Sequence, residues 1–177
     1  MTDYQNVKVE RDGPIAVVTF NRPQTLNAIE AGIRREILEA ANEVNADDAI
    51  RVVILTGEGR AFCAGADLSE KSDTPVDVEE MLNNEYKPAL MAITEAPKPW
   101  ISAVNGAAAG VGSAFAMNCD LTVMAEDAYL YQAFAAISLI PDGGATWHLA
   151  RTLGKKKAYE LIALGEKLKA EKCLELG

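Results

Sequence analysis

The chain has 177 residues, 49% of them hydrophobic, and a formal net charge of −9. This length suits one domain with a sizeable core, so we predict a single domain over residues 1–177. The acidic balance disfavours nucleic-acid binding, which usually requires a basic patch. No apolar run reaches the roughly 18 residues that span a bilayer, and the polar N-terminus lacks the pattern of a signal peptide. We therefore expect a cytoplasmic protein with no membrane partner.

Strands and helices are predicted to alternate along the chain. Buried β-branched or alternating runs predict five strands, at residues 7–10, 15–20, 52–55, 100–104 and 121–125. Helical spacing and helix-start signals predict helices at residues 29–44, 77–94, 113–118, 141–152, 155–164 and from 170 onward. A polar loop is predicted at residues 69–75. This alternation is typical of an α/β domain with largely parallel strand pairing.

Three cysteines, Cys63, Cys119 and Cys173, are widely spaced and odd in number. They form no zinc pattern and no obvious disulfide framework, so the sequence predicts no metal site and a reducing compartment. Each cysteine is predicted to be a small core residue and not a nucleophile.

Two segments rich in glycine and alanine, residues 59–68 and 105–113, each follow a buried strand. Ligands of open α/β sheets bind beyond the carboxyl ends of strands, and small residues let a ligand approach the backbone. Two such turns side by side can aim two N–H donors at one oxygen, as in an oxyanion hole. Tight packing of helix against strand is the alternative reading. Neither segment matches a phosphate loop, and Phe115 stands where a dinucleotide fingerprint needs its third glycine.

Four motifs occur in an order and spacing that resemble one known family. They are Asn21-Arg22-Pro23 with Leu26-Asn27-Ala28, the AFCAGADL segment at residues 61–68, Asn105-Gly106 through Gly110-x-Gly112 with Cys119-Asp120, and Ile140-Pro141-Asp142-Gly143-Gly144. On these motifs the chain resembles the crotonase (enoyl-CoA hydratase/isomerase) superfamily from about residue 5 to its end.

The resemblance implies a spiral of β-β-α units, an acyl-CoA substrate and assembly as a homotrimer or hexamer. It also implies a C-terminal helical segment, which we expect to be missing or incomplete here. The thioester oxygen would bind the backbone N–H groups of Ala66 and Val111. The residues that resemble the CoA contacts are Ala28, Ala64, Gly65 and Asp67. No metal or redox cofactor is implied, because coenzyme A arrives as part of the substrate.

The chain departs from the hydratases of this family at the two glutamates that activate water. Those positions fall on Ala114 and Phe134, and neither side chain can move a proton. The resemblance makes Asp142 the candidate catalytic carboxylate, because relatives without the glutamates often carry one there. A helix N-cap is the alternative role for Asp142, and it would lower the carboxyl pKa. The only histidine, His148, is expected to be a surface or packing residue.

These features predict an enoyl-CoA isomerase in which Asp142 moves a proton between two carbons of a thioester enolate. Two alternatives remain open. A hydratase or lyase would use Asp142 and water, and a non-catalytic acyl-CoA-binding subunit would have kept the fold and lost the chemistry.

Overall fold

The computed structural model describes residues 4–70 and 76–177. Residues 71–75 of the predicted polar loop lie outside the described residues. The strands are β1 (Val7–Asp12), β2 (Ile15–Phe20), β3 (Val52–Gly57), β4 (Ala61–Cys63), β5 (Trp100–Val104), β6 (Ala107–Ala109), β7 (Leu121–Met124), β8 (Tyr129–Tyr131) and β9 (Lys167–Lys169). The helices are α1 (Ala31–Ala46), α2 (Val78–Met81), α3 (Lys87–Thr94), α4 (Val111–Met117), α5 (Ala145–Leu164) and α6 (Ala170–Leu176).

The strands form two sheets, and the chain passes from one to the other in a spiral. One sheet has the order β1-β2-β3-β5-β7 and the other β4-β6-β8-β9. β3, β5 and β7 lie in the first sheet, and each is followed by a short strand of the second. Pairing is parallel except at β1–β2 and β8–β9. The predicted α/β spiral of β-β-α units is therefore confirmed.

The core is formed by the first sheet, by helices α1, α3 and α4, and by the short strand β4. The sheet contributes Phe20, whose ring packs edge-on against Phe62 and Phe115 at centroid distances of 5.7 and 5.6 Å. Helix α1 buries one apolar stripe, which includes Ile33, Ile37 and Val44. Residues three, four and seven apart share one helix face, so this stripe is the one that the sequence predicts.

The five predicted strands are confirmed, but β4, β6, β8 and β9 were missed. Each has three residues, too few for an alternating pattern to stand out, and β6 consists of alanine alone. The helix predicted from residue 141 begins at Ala145, and Gly154 at φ +75° interrupts it close to the predicted break. The predicted second helix runs through a π-helical segment, Leu82–Tyr86, that joins α2 to α3.

Within the part of the chain that the structure describes, no helix combines the length and the apolarity required to cross a membrane.

Candidate active site

The first glycine-alanine turn is held by the backbone of Ile29. The Ile29 N–H donates to the Gly65 carbonyl at 2.8 Å, and the Ile29 carbonyl accepts from the Asp67 N–H at 2.9 Å. Because these bonds use the groups on either side of Ala66, the Ala66 N–H points away from Ile29. Ala66 is exposed, and its amide has no acceptor within residues 4–70 and 76–177.

The second turn ends at Gly110, the residue before helix α4. Gly110 has φ +53°, and its N–H donates to the Tyr131 carbonyl at 2.9 Å. Its carbonyl accepts from the Ser113 hydroxyl, which in turn accepts from the buried Gln132 amide. Val111 follows as the first residue of the helix, where a backbone N–H has no partner inside the helix. Its amide has no acceptor elsewhere among the described residues.

The two turns touch through their glycines. A β-carbon on Gly65 would lie 2.8 Å from the Ala109 carbonyl oxygen and 3.7 Å from the Gly110 Cα. Only a residue without a side chain permits this approach, and Gly65 also has φ +97°, which favours glycine. The unpaired amides of Ala66 and Val111 each come one residue after this contact. The predicted pair of turns is therefore brought together.

Asp142 lies beside the second turn. Its neighbour Gly143 packs against this turn. A β-carbon added to Gly143 would lie 2.7 Å from the Ala114 Cβ and 3.4 Å from both Val111 Cγ2 and Leu90 Cδ1. Asp142 is half-buried, and its Oδ1 has no hydrogen-bond partner among the described residues. Removal from water disfavours the charged form, so burial raises the pKa of the Asp142 carboxyl.

The capping alternative for Asp142 is wrong. The N-cap of helix α5 is Gly144, at φ +83°, and no side chain caps this helix. The Asp142 backbone carbonyl, and not its carboxylate, accepts from the Ala145 N–H at 3.0 Å. A cap would have lowered the carboxyl pKa, whereas burial raises it. The buried Oδ1 of this carboxylate has no partner among the described residues, which makes Asp142 a candidate for proton transfer.

Two predicted CoA contacts, Ala28 and Asp67, are joined by an arginine that the sequence analysis did not assign. One Nη1 atom of Arg22 donates to the Ala28 carbonyl at 2.7 Å and to Asp67 Oδ2 at 3.1 Å. Hydrogen bonds from Ser69, and then those from Arg22, lower the pKa of the Asp67 carboxyl. The Asp67 side chain thus braces the first turn. Ala64 and Gly65 lie in that same turn.

Of the other residues considered from the sequence, one lies against the second turn and the others contact residues outside it. Phe134 lies against the second turn, 4.0 Å from the place of a β-carbon on Gly110. Tyr129 and Tyr131 instead face the Lys167 amine, which lies 4.6 and 5.8 Å from their ring centroids. His148 packs edge-on against the Trp147 ring, as expected of a packing residue.

The predicted core role of Cys63 agrees with its environment, in which burial raises the thiol pKa to about 12. Such a thiol stays protonated at neutral pH and is a poor nucleophile.

Tyr86 is a residue near this site that the sequence analysis assigned no role. It ends the π-helical segment and is buried, and its hydroxyl has no hydrogen-bond partner among the described residues. Tyr86 and Leu90 are four residues apart and therefore share one helix face. From the sequence, Tyr86 looks like an ordinary core residue.

Strands that alternate between two sheets, and two glycine turns that meet beside a half-buried carboxylate, define a protein of the crotonase class. A sequence model described as "Enoyl-CoA hydratase/isomerase" matches residues 10–177. The chain therefore belongs to the enoyl-CoA hydratase/isomerase family, and its curated relatives are named as enzymes.

Curated relatives are similar over nearly the whole chain. A protein from Rhodobacter capsulatus described as a probable enoyl-CoA hydratase is 38% identical, with 98% of this chain and 67% of the relative covered. The 1,2-epoxyphenylacetyl-CoA isomerase of Escherichia coli K12 is also 38% identical, with 92% and 64% covered. This chain thus spans about two thirds of the length of these relatives.

Solved structures share the fold. DspI of Pseudomonas aeruginosa matches with a TM-score of 0.92 at 29% identity, over all of this chain and 68% of that one. An enoyl-CoA hydratase from Polaromonas sp. JS666 matches with a TM-score of 0.88 at 34% identity, over 97% of this chain and 68% of that one.

Proposed function

We propose that this protein binds an acyl-CoA thioester and isomerises a 3-enoyl-CoA to the conjugated 2-enoyl-CoA. The observation that carries the proposal is the unpaired, buried Oδ1 of Asp142 beside the turn that ends at Val111. Family membership supports the thioester substrate, and the E. coli relative named as an isomerase supports the type of reaction.

The thioester oxygen accepts hydrogen bonds from the Ala66 and Val111 amides. As Asp142 takes a proton from the α-carbon, the electrons of the C–H bond move toward the carbonyl and form a dienolate. The two amides stabilise the negative oxygen, and one such donor typically lowers a barrier by about 3–4 kcal/mol. The protonated Asp142 returns the proton to the γ-carbon, which leaves the double bond conjugated with the thioester.

Burial helps Asp142 perform both steps. A carboxyl with an ordinary pKa is a weak base, whereas a raised pKa brings it closer to the pH at which it must accept and return a proton. Because Ala114 and Phe134 have no ionisable side chains, Asp142 acts in this proposal without a second carboxylate.

Coenzyme A would lie along the first turn, against Ala28, Ala64, Gly65 and Asp67. Because Arg22 and Ser69 already engage the Asp67 carboxylate, backbone groups of this turn would make the contacts. Assembly as a homotrimer or hexamer belongs to the same proposal, and light scattering of the purified protein tests it.

Hydration is the second candidate, because the R. capsulatus relative is described as a hydratase. Absorbance of the conjugated thioester separates the two reactions. With a 3-enoyl-CoA substrate, isomerisation makes this absorbance grow, whereas with a 2-enoyl-CoA substrate, hydration makes it fall. Activity that survives in Asp142→Asn would refute the assigned base. Tight thioester binding without any turnover would instead identify a non-catalytic binder.

A further inference from the structure

The hydroxyl of Tyr86 is a buried donor without an acceptor. The Tyr86 residue is 4% exposed, and its oxygen has no hydrogen-bond partner in the described part of the chain. A phenylalanine would fill the same space without a polar atom, so packing alone does not account for the oxygen. Buried donors nearly always have an acceptor, and the described residues supply none for this hydroxyl proton.

Neighbouring side chains fix the Tyr86 ring. The Arg34 guanidinium lies over it, with Cζ 5.3 Å from the ring centroid. Arg34 is itself held by Glu85 Oε2 at 2.6 Å and Glu70 Oε2 at 2.9 Å. A guanidinium can only donate hydrogen bonds. It cannot accept the Tyr86 proton, so that proton must find its acceptor on another side.

The helix that carries Tyr86 faces the Asp142 turn. Leu90 follows Tyr86 by one helical turn and contacts Gly143. Burial raises the pKa of the Tyr86 hydroxyl to about 12, and the negative charge of Asp142 adds to this rise, opposed by Arg34. The hydroxyl therefore stays protonated as a donor in the neighbourhood of Asp142, although no hydrogen bond joins the two. Two buried polar atoms without partners thus lie near the same turn.

We propose that the Tyr86 hydroxyl donates a hydrogen bond to an oxygen carried by the bound acyl chain, beyond the carbons that Asp142 serves. The site then prefers acyl groups with an ether, hydroxyl or carbonyl oxygen in that region over plain hydrocarbon chains. This inference rests on the proposed acyl-CoA function. The known neighbours of the turn, Leu90, Val111 and Ala114, are apolar, so Tyr86 supplies the donor that they lack.

A set of isosteric thioesters tests the preference by binding alone. Calorimetric titration compares hexanoyl-CoA with 4-oxahexanoyl-CoA and 5-oxahexanoyl-CoA, in which one CH₂ is replaced by an ether oxygen. The measured quantity is the ratio of the hexanoyl-CoA Kd to the Kd of the better ether. We expect Tyr86→Phe to lower this ratio by roughly three- to tenfold, the effect of one hydrogen bond. The matched control Tyr159→Phe removes a hydroxyl from an exposed tyrosine and should leave the ratio unchanged.

The outcomes separate this inference from the function on which it rests. A ratio that Tyr86→Phe does not change overturns the inference while the acyl-CoA function stands. Failure of every thioester to bind the wild-type protein overturns both.

Discussion

Replacement of Gly65 by alanine tests whether the contact between the two turns creates the oxyanion site. The new β-carbon would lie 2.8 Å from the Ala109 carbonyl oxygen, which belongs to backbone and cannot rotate away. The turns must separate by roughly 0.6 Å, the difference between that distance and the 3.4 Å at which ordinary contact begins. This separation moves the Ala66 and Val111 amides apart, so one of them no longer reaches the thioester oxygen.

Loss of one oxyanion donor typically lowers kcat by about 10²- to 10³-fold, and we expect Gly65→Ala to fall in this range. The measurement is the steady-state rate of 3-enoyl-CoA isomerisation, with urea unfolding in parallel. Alanine in a left-handed conformation costs about 1–2 kcal/mol of stability in addition. Gly13→Ala is the matched control, because Gly13 has φ +55° but nothing within 4 Å of an added β-carbon. If Gly65→Ala keeps a kcat within threefold of Gly13→Ala, the inferred oxyanion geometry is wrong.

Three further variants test the carboxylate and the supports of the turns. Asp142→Asn should lower kcat by about 10²- to 10⁴-fold. Because the folded protein raises the pKa of the Asp142 carboxyl, the stability of the wild type relative to this variant should be highest at acidic pH and fall as pH rises. Equal urea midpoints of the two proteins at all pH values would contradict this. Asn27→Ala should cost about 2–3 kcal/mol in urea unfolding, because the buried Asn27 amide bonds the Ala61 and Phe62 carbonyls; a cost below 1 kcal/mol would refute its bracing role. Ser113→Ala removes the hydrogen bond to the Gly110 carbonyl and should cost about 1 kcal/mol of stability. The variant should also have a lower kcat when it is fully folded, because Gly110 positions the Val111 amide. An unchanged kcat would show that this hydrogen bond does not position the turn.

The sequence predicted the elements that have a strong hydrophobic period. Strands β2 and β5 were predicted with their observed bounds, because β-branched and aromatic residues fill them between clear turn signals. β6 could not be found in this way, because three alanines carry no strand preference. It is a strand because its neighbours β4 and β8 supply backbone partners on both sides. That pairing depends on tertiary structure, which a local pattern does not contain.

The candidate site likewise has residues that could be predicted from the sequence and residues that could not. The two glycine turns and Asp142 could be predicted, because motifs with fixed spacing mark them. The role of Asp142 could not be decided between cap and base, since both readings place an aspartate before a helix. The structure rejected the cap because two glycines separate Asp142 from the first residue of α5, Ala145. Tyr86 gave no signal, because a tyrosine at core spacing shows nothing about where its hydroxyl points.

The packing around Gly143 ties the turn that carries Asp142 to the small residue at position 114. Ala114 is fully buried, and its Cβ lies 2.7 Å from the place of a β-carbon on Gly143. Because the two positions are this close, a side chain at residue 143 would require Ala114 or the turn to move. A glutamate at position 114 would add four heavy atoms to a buried site beside this turn, and closely packed interiors absorb such an addition only by shifting. The small residue is therefore part of what places Asp142.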